Sequence, residues 1–449
     1  MAQTVYEPGR TLPIYGEYDV VVLGGGPAGM MAAAAAAQTG AHTLLIERYG
    51  FLGGMGTAAG VTNFCGLHAN VYGQHQRVVR GLTDEFLDLM RELDGLCEPH
   101  VMFGGKIMAQ AYDTPAYKIA ADRLLLKRRV ELLFHTQAAG ALLNEDRSIS
   151  ELIVETRGGR QAIRAKRFID CSGDGDLAYA AGSPMEQGSG REDMLYPSTL
   201  FRINGVQPER AGKAWETVAG MMEKAEQDGW TFKRRMPIMR PQRNPVEWRC
   251  NVTQLSRDNG DPISGTDSRQ MTEGELSGRA QAAHFIQFLR EYMPGFEQSY
   301  ILDLPPQLGI RETRRLQGAL QLSEHDVLNC TSFEDTIGVN AWPIEEHRPG
   351  EVSFEFPPIP DCRGFNHLPY RMLYSSKVGN LLVAGRCASM THKGQSAARV
   401  TGACFVMGQA AGTAAAMSIE QQCPPAALPV RTLQTRLEAD GVYLGTDIQ

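Results

Sequence analysis

The residues best suited to carry chemistry lie in two segments near opposite ends of the chain. Near the C-terminus, an apolar run ends at Gly385 and Arg386, and a polar loop with one histidine, His392, leads into a segment of small residues. His392 could act as a general base or hold a substrate oxygen, although a histidine that only caps a helix or contacts a cofactor fits the same pattern. Arg386 and Arg399 offer cations to an anionic partner, with a structural ion pair as the alternative for Arg399.

The other segment, near the N-terminus, is a glycine-rich turn between the apolar strand Val20–Leu23 and an alanine-rich helix. The first glycine permits a tight turn, the second the approach of a pyrophosphate, and the last the packing of helix on strand. Free N–H groups at the helix start favour a phosphate. The predicted cofactor-binding residues of this turn are Gly24, Gly26, Pro27, Ala28 and Gly29.

A second apolar strand, Thr43–Ile46, ends in Glu47, where a carboxylate can accept hydrogen bonds from both ribose hydroxyls. It would repel a 2′-phosphate, so FAD or NAD is favoured over NADP. A further glycine cluster follows and suits a larger cofactor whose pyrophosphate and ribityl chain cross the domain, which favours FAD over NAD. The residues predicted to contact FAD here are Arg48, Gly53, Gly54, Met55 and Thr57.

At this point the sequence resembles the FAD-dependent oxidoreductases of the glutathione-reductase-like two-dinucleotide-binding class, where E-(R/K)-x(3–4)-GG-x-x-T lies beside the FAD phosphates. Its second landmark is the apolar strand that runs into Asp170-Cys-Ser-Gly-Asp-Gly-Asp176. The resemblance implies that Ser172, Gly173 and Asp174 lie near the pyrophosphate and Ala138 at the adenine edge. The acidic turn lacks the other ligand positions of a calcium loop, so no metal is predicted.

The stretch GRCASMTHKGQSAARVTGACFVMGQAAGTAAA resembles the C-terminal signature of one branch of this class, the bacterial FAD-dependent oxidoreductase family. The resemblance implies that Gly385 and Arg386 lie beside the ribityl chain. It also implies that a helix starting near Ser396 aims its N-terminus, with Val400 and Thr401, at the flavin. A positive helix end there would stabilise the reduced anion.

The segment GIRETRR, residues 309–315, resembles that branch's GIRESRR. At helical spacing, Arg311 shares a face with Arg314 and Arg315, and Glu312 is expected to form an ion pair with one of them. The predicted catalytic residues are therefore Arg311, Arg399 and His392. Cys65 follows the second glycine cluster, but no second cysteine follows at disulfide-reductase spacing, so a redox disulfide is not expected.

Composition limits the other possibilities. The 449 residues, with 43% apolar and 21% charged residues and a net charge of -7, indicate two lobes and no nucleic-acid surface. The nine cysteines are isolated, the first residues lack a secretory signal, and the most apolar stretch, residues 20–37, carries glycines and a proline that disfavour a membrane span. We therefore expect a cytoplasmic protein, with self-association as a homo-oligomer left open.

The sequence predicts an α/β fold with two parts. A Rossmann-like FAD-binding domain, a parallel sheet with an added β-meander, is expected from residues 1–196 and 361–449. Between them, residues 197–360 are expected to form an inserted α+β substrate domain.

The expected function is that of an FAD-dependent oxidoreductase that transfers a hydride between a small organic substrate and flavin N5, with an unidentified electron donor or acceptor. Arginines in the inserted domain suggest an anionic or carbonyl-bearing substrate, although solvated arginines are the more common explanation of such segments. The alternative is a protein with a structural flavin or redox-neutral hydratase or isomerase chemistry. An NAD-binding module is disfavoured by the second glycine cluster.

Overall fold

The computed structural model of the chain describes residues 4–189 and 193–448, so residues 1–3 and 190–192 of the predicted first part lie outside it. In chain order, the strands are β1 (Ile14–Leu23), β2 (Thr43–Ile46), β3 (Asn63–Cys65), β4 (His68–Val71), β5 (Gln74–Arg77), β6 (His100–Met102), β7 (Ile107–Ala111), β8 (Glu131–Leu133), β9 (Gln137–Leu143), β10 (Ile149–Thr156), β11 (Gly159–Asp170), β12 (Met185–Glu186), β13 (Phe201–Asn204), β14 (Ile238–Pro241), β15 (Trp248–Asn251), β16 (Tyr300–Asp303), β17 (Arg315–Leu316), β18 (Thr336–Asn340), β19 (Ile344–Arg348), β20 (Glu351–Glu355), β21 (Asn366–Pro369) and β22 (Leu381–Val383). The α-helices are α1 (Pro27–Gln38), α2 (Met55–Ala58), α3 (Leu82–Glu92), α4 (Thr114–Leu126), α5 (Asp176–Ala180), α6 (Pro208–Ala211), α7 (Ala214–Gln227), α8 (Ser268–Tyr292), α9 (Glu324–Leu328), α10 (His392–Ala398), α11 (Thr401–Glu420) and α12 (Val430–Ala439).

The main sheet has the strand order β8-β2-β1-β11-β10-β9, and β22 pairs with the end of β11. Strands β8, β2, β1, β11 and β22 are parallel, whereas β9 and β10 form an antiparallel meander on β11. The apolar, β-branched character of β1 and β2 suits strands covered on both faces. The predicted α/β fold, a parallel sheet with an added meander, is confirmed.

The register of the parallel strands brings four loops to one edge of the sheet. Leu23 pairs with both Ile46 and Asp170, and Asp170 pairs with Val383. Because parallel strands point the same way, the loops that follow β1, β2, β11 and β22 all leave from this edge. These loops carry most of the predicted cofactor-binding residues.

Helices α1 and α11 pack backbone against backbone beneath this sheet. A Cβ on Gly408 would lie 2.1 Å from the carbonyl oxygen of Ala28, and one on Gly412 would lie 2.0 Å from that of Ala32. Helix α11 is apolar and long enough to cross a membrane, but its apolar window is 94% buried inside the protein. Its all-round hydrophobicity is therefore that of a core helix.

A second lobe contains an antiparallel sheet of order β14-β15-β13-β16, against which α7 and α8 pack. Its core includes Trp248, Phe201 and Phe288. Between β13 and β14 the chain forms two helices, α6 and α7, because it turns at Gly212, whose φ is +49°. Strand β18, in the predicted inserted domain, pairs with β21 in the predicted C-terminal part. The domain boundaries remain a prediction.

The contact between α1 and α11 gives a stability prediction. Replacing Gly412 with alanine should lower the free energy of unfolding by about 1–3 kcal/mol or prevent folding, because the new Cβ has no room. Gly220→Ala, at an exposed position of α7 with open space around it, should instead leave stability unchanged or raise it by up to about 1 kcal/mol. Denaturant unfolding followed by circular dichroism measures both. Equal stabilities would contradict the close packing of these helices.

Candidate active site

A cavity of about 660 Å³ extends from the loop edge of the main sheet to the second lobe. Its volume is within the range of small-molecule and cofactor sites, roughly 300–1,000 Å³. Most of the predicted site residues line it: Gly24, Gly26, Pro27, Ala28, Glu47, Arg48, Gly54, Met55, Ala138, Ser172, Gly173, Arg311, Gly385, Arg386, Arg399, Val400 and Thr401.

One end of the cavity is a cradle of bare backbone built from the two glycine loops. Gly24 has φ +97°, and a Cβ on it would lie 2.4 Å from the carbonyl oxygen of Cys171. The N–H of Gly53 donates to the carbonyl of Gly25 at 2.8 Å, which joins the second loop to the first. The N-terminus of α1 opens into this cradle, an arrangement that suits a pyrophosphate.

Glu47 lies at the end of the cradle and is buried. One carboxylate oxygen accepts from the N–H of Gly25 at 2.7 Å and the other from the N–H of Tyr49 at 3.0 Å. The carbonyl of Glu47 accepts from the N–H of Thr136 at 3.1 Å, which brings Ala138 into the wall. The carboxylate is thus held in place, with lone pairs left for ribose hydroxyls.

Asp174, predicted to contact the cofactor, lies behind the cavity wall rather than in it. It accepts hydrogen bonds from Arg386 at 2.8 Å and from the hydroxyl of Thr313 at 2.9 Å, and Arg48 lies 3.8 Å away. It therefore holds the arginines that line the cavity. Asp176 does line the cavity, and burial together with the charge of Asp174 raises its pKa to about 6.

Three other predicted contacts also support the wall from behind. A Cβ on Gly29 would lie 1.7 Å from the carbonyl oxygen of Gly24, so this glycine serves the packing of α1 on its strand. Gly53 is committed to its bond with the first loop. The hydroxyl of Thr57 donates to the carbonyl of Leu52 at 2.6 Å and closes the second loop.

The structure corrects the predicted position of His392, which does not line the cavity. Helix α10 begins at this residue, and Nδ1 of His392 lies 2.9 Å from a carboxylate oxygen of Glu312. Glu312 also pairs with the buried Arg315. Ser396 is likewise buried away from the cavity, where its hydroxyl donates to the carbonyl of Lys393 at 2.7 Å.

The helix that faces the cavity is α11, which begins at Thr401 and not near Ser396. The chain is extended at Val400, with φ -74° and ψ 166°, so α10 and α11 are separate helices. Arg399, Val400 and Thr401 line the cavity, and the unpaired N–H groups of the first turn of α11 lie at the same place.

The GIRETRR segment is extended rather than helical, because Gly309 bridges to Ser198 and β17 begins at residue 315. Arg311 lines the cavity, and its Nη1 donates to the carbonyl of Tyr196 at 2.6 Å and to the hydroxyl of Ser198 at 2.8 Å. Glu312 points the other way. It pairs with Arg315, as the expectation of an ion pair allowed.

Sequence reasoning missed the polar residues at the far end of the cavity. Glu345 and His347 line it from β19, and Arg249 and Asn251 line it from β15. The two residues of each pair are two positions apart along a strand, so their side chains point to the same face of that strand. Buried polar residues with this spacing were the available signal.

Glu345 and His347 form a dyad, with Nε2 of His347 at 2.9 Å from a Glu345 oxygen, while the indole N–H of Trp342 donates to the other oxygen at 2.8 Å. Burial alone would raise the pKa of Glu345, but the bond from His347 and the charge of Arg399 hold it well below its ordinary value. Burial and the charge of Arg311 lower the pKa of His347 well below its ordinary value. A neutral histidine that donates from Nε2 keeps a free lone pair on Nδ1.

The residues present fit FAD. The glycine cradle with the α1 N-terminus suits the pyrophosphate, Glu47 suits the adenosine ribose, and the α11 N-terminus suits the flavin ring. Cys65 also lines the cavity, but burial raises the pKa of its thiol to about 12, so it is no thiolate nucleophile. Among residues 4–189 and 193–448, no group of three potential metal ligands occurs.

The contact with Glu312 gives His392 a structural role that pH should reveal. Burial lowers the pKa of His392, but the hydrogen bond and charge of Glu312 outweigh it and raise the pKa. The contact therefore contributes fully to stability below the unfolded-state pKa of about 6.5 and is lost as pH rises through the higher folded-state pKa. His392→Gln should destabilise the protein by about 2 kcal/mol at pH 6 and by less at pH 8.5.

Denaturant unfolding at the two pH values measures this difference. His75→Gln, at an exposed position of β5, is the matched control and should change stability little at either pH. An equal loss at both pH values would contradict the charged contact.

A family model described as FAD dependent oxidoreductase matches residues 19–437. Dihydrolipoyl dehydrogenase from Trypanosoma brucei brucei is 56% identical over 45 residues, so the match covers only 10% of this chain and 9% of that protein. The p-nitrophenol 4-monooxygenase from Pseudomonas putida DLL-E4 has a TM-score of 0.50 and 11% identity, over 96% of this chain and 90% of that one. A geranylgeranyl bacteriochlorophyll reductase-like protein from Thermoplasma acidophilum has a TM-score of 0.48 and 13% identity, over 96% and 94% of the two chains.

The monooxygenase comparison, at 11% identity, shows the fold alone. The family match shows more than the fold, because it is a match of sequence that covers both the glycine cradle and the helix α11, which line the cavity. The chain belongs to the FAD dependent oxidoreductase family, and its cofactor is FAD.

Proposed function

We propose that the protein transfers a hydride between a small organic substrate and flavin N5. The observation that carries the proposal is that one cavity joins the nucleotide cradle to the Glu345–His347 dyad in the opposite wall. Bound FAD supplies the acceptor or donor of the electron pair. The two glycine loops support the further proposal that the chain belongs to the glutathione-reductase-like class.

Apolar side chains form part of the wall between the cradle and the dyad. Trp342, Phe354, Leu200 and Ile238 form apolar parts of the wall. Apolar wall surface excludes water from its surroundings, which strengthens the charge interactions beside it.

His347 is the proposed proton acceptor when the substrate is oxidised. Its imidazole is neutral, its Nε2 is held by Glu345 and its Nδ1 keeps a lone pair. Glu345 then stabilises the imidazolium that forms, as a buried carboxylate does in other acid–histidine pairs. In the reductive direction the same group returns the proton. This role replaces the one that the sequence assigned to His392.

Anaerobic reduction tests the proposal. The purified protein should carry FAD, and its visible absorption should bleach when a substrate or dithionite is added. Product formation with unchanged flavin absorbance throughout turnover would instead support a structural flavin or redox-neutral chemistry.

Glu47 gives a prediction for cofactor retention. Glu47→Ala removes two charge-assisted hydrogen bonds that hold the first glycine loop and the ribose acceptor, so FAD binding should weaken by about 2 kcal/mol, or roughly 30-fold in Kd. Flavin fluorescence titration of the apoprotein measures the change. Glu145→Ala, at an exposed turn position, should bind FAD as the parent protein does.

His347 gives a prediction for the reaction. His347→Gln should lower the rate of flavin reduction by about 10²–10⁴-fold, because it removes the proton acceptor. Since the pKa of His347 is lowered, the parent rate should be level from pH 6.5 to 8 and fall only at more acidic pH.

Stopped-flow reduction across this pH range measures both effects. His392→Gln, assayed below its unfolding temperature, is the matched histidine control and should reduce the flavin at nearly the parent rate. Two outcomes would contradict the role of His347 as proton acceptor. One is a parent reduction rate that already falls between pH 8 and 6.5, as an ordinary histidine pKa would cause, and the other is a His347→Gln variant that reduces the flavin at the parent rate.

A further inference from the structure

We propose that the substrate is a small organic acid whose carboxylate binds to a cluster of four arginines at the second-lobe end of the cavity. The arginine cluster consists of Arg234, Arg249, Arg311 and Arg399. Three of them line the cavity, and Arg234 lies directly behind Asn251, to which its Nη1 donates at 2.8 Å. The inference rests on the proposed function for the reaction, whereas carboxylate binding itself can be tested without turnover.

Three of the four arginines in this cluster are buried, and Arg399 is partly exposed. Arg234, Arg249 and Arg311 are 1%, 5% and 8% exposed. In the described part of the chain, none of the four cluster arginines lies within 4.0 Å of a carboxylate oxygen. Arg315, which is equally buried, is paired with two carboxylates, those of Glu312 and Glu186. Arg363, which is 5% exposed and lies outside the cavity, also lacks a carboxylate in the described part of the chain, but each of its guanidinium nitrogens donates to a backbone carbonyl. The cavity end differs because its buried guanidiniums have neither a carboxylate nor a full set of carbonyl acceptors.

Neutral groups satisfy the cluster only in part. Arg249 donates from Nη1 to the carbonyl of Val61 at 2.6 Å, and Arg234 donates from Nε to the carbonyl of Met236 at 2.7 Å. Nη2 of Arg234, Nε of Arg249 and Nε of Arg399 are buried with no hydrogen-bond partner. Buried donors and cations left unpaired are costly, and three of the four cluster arginines each carry one such donor.

The charge of the cluster is far from balanced. Glu345 is the carboxylate nearest to it, and both of its oxygens already accept from His347 and Trp342. Four cations therefore lie around one anion, and each oxygen of that anion already holds one hydrogen bond from another residue. Burial and repulsion from Arg399 and Arg234 lower the pKa of Arg311, which is the response expected of a cation held among cations. An anionic ligand would supply the missing charge.

The chemistry of the wall favours a carboxylate on an organic body over an inorganic anion. Guanidinium groups bind the planar carboxylate through two parallel hydrogen bonds. Trp342, Leu200 and Phe354 provide apolar surface beside the arginines for the rest of the molecule. A carboxylate bound there would fix the neighbouring carbon near His347, which lines the same end.

The test compares acids with their neutral amides on the FAD-loaded protein. Acetate, malonate, succinate and benzoate, each beside its amide and at constant ionic strength, are titrated against the visible spectrum of the oxidised flavin and against the Tm. At least one acid should perturb the spectrum saturably and raise the Tm by roughly 2–5 °C, because a ligand that binds only the folded state stabilises it. The matching amide should do neither.

Variants assign the effect to the cluster. Arg311→Gln and Arg399→Gln should each raise the Kd of the bound acid at least tenfold. Their Tm without ligand should stay near or above that of the parent, because each removes an unpaired buried cation. Arg279→Gln, a matched change at an exposed position of α8, should leave the Kd unchanged. Far-UV circular dichroism checks that each variant is folded. The Arg399 side chain makes a single weak hydrogen bond in the described structure, to the carbonyl of Glu345 at 3.5 Å, so Arg399→Gln should fold and can test the proposal even if Arg311→Gln does not fold.

The inference is overturned if no acid acts more strongly than its amide, or if both arginine variants bind acids as the parent does. If the protein binds an acid but no substrate reduces its flavin, the carboxylate site is supported and the proposed hydride transfer is wrong. If a neutral compound reduces the flavin and no acid binds, hydride transfer is supported and the proposed carboxylate site is wrong.

Discussion

The backbone contact between α1 and α11 is the constraint on which the rest of the structure depends. Gly408 and Gly412 let the two helices approach until the carbonyls of Ala28 and Ala32 fill the space of their absent side chains. The N-terminus of α1 faces the glycine cradle, and that of α11 faces the middle of the cavity. A single helix pair therefore sets how two positive helix ends are arranged around one cofactor.

The second half of the cavity depends on one extended segment, residues 309–316, that passes between the lobes. Arg311 on one side contacts Tyr196 and Ser198, whereas Glu312 on the other holds His392. The hydroxyl of Thr313 donates to Asp174, which also accepts a hydrogen bond from Arg386 in the loop after β22. Each residue of the segment can serve a different neighbour because an extended chain alternates its side chains.

Local patterns in the sequence predict the cofactor half of the site, and the structure brings most of these residues to one cavity. A glycine turn, a strand end and a terminal acid are read from neighbouring residues, and the parallel register then brings Glu47 and Ser172 to one edge. The substrate half could not be predicted in this way. Arg249 and His347 belong to short strands far apart in the chain, and only tertiary packing makes them neighbours. Helical spacing was the wrong period for residues 309–315, since pairing with Ser198 overrides it.

The pairing of buried charges separates structural residues from candidate functional ones more reliably than residue type does. His392 and Arg315 are as polar as His347 and Arg311, so residue type alone does not separate the two sets. In the folded chain, His392 and Arg315 share the carboxylate of Glu312 and complete a neutralised network. Arg311 and Arg399 have no such partner, and their cost has to be offset by the packing of the surrounding cores. A fold keeps such a cost where function requires it, so the unpaired cations mark the end of the cavity at which a substrate should bind.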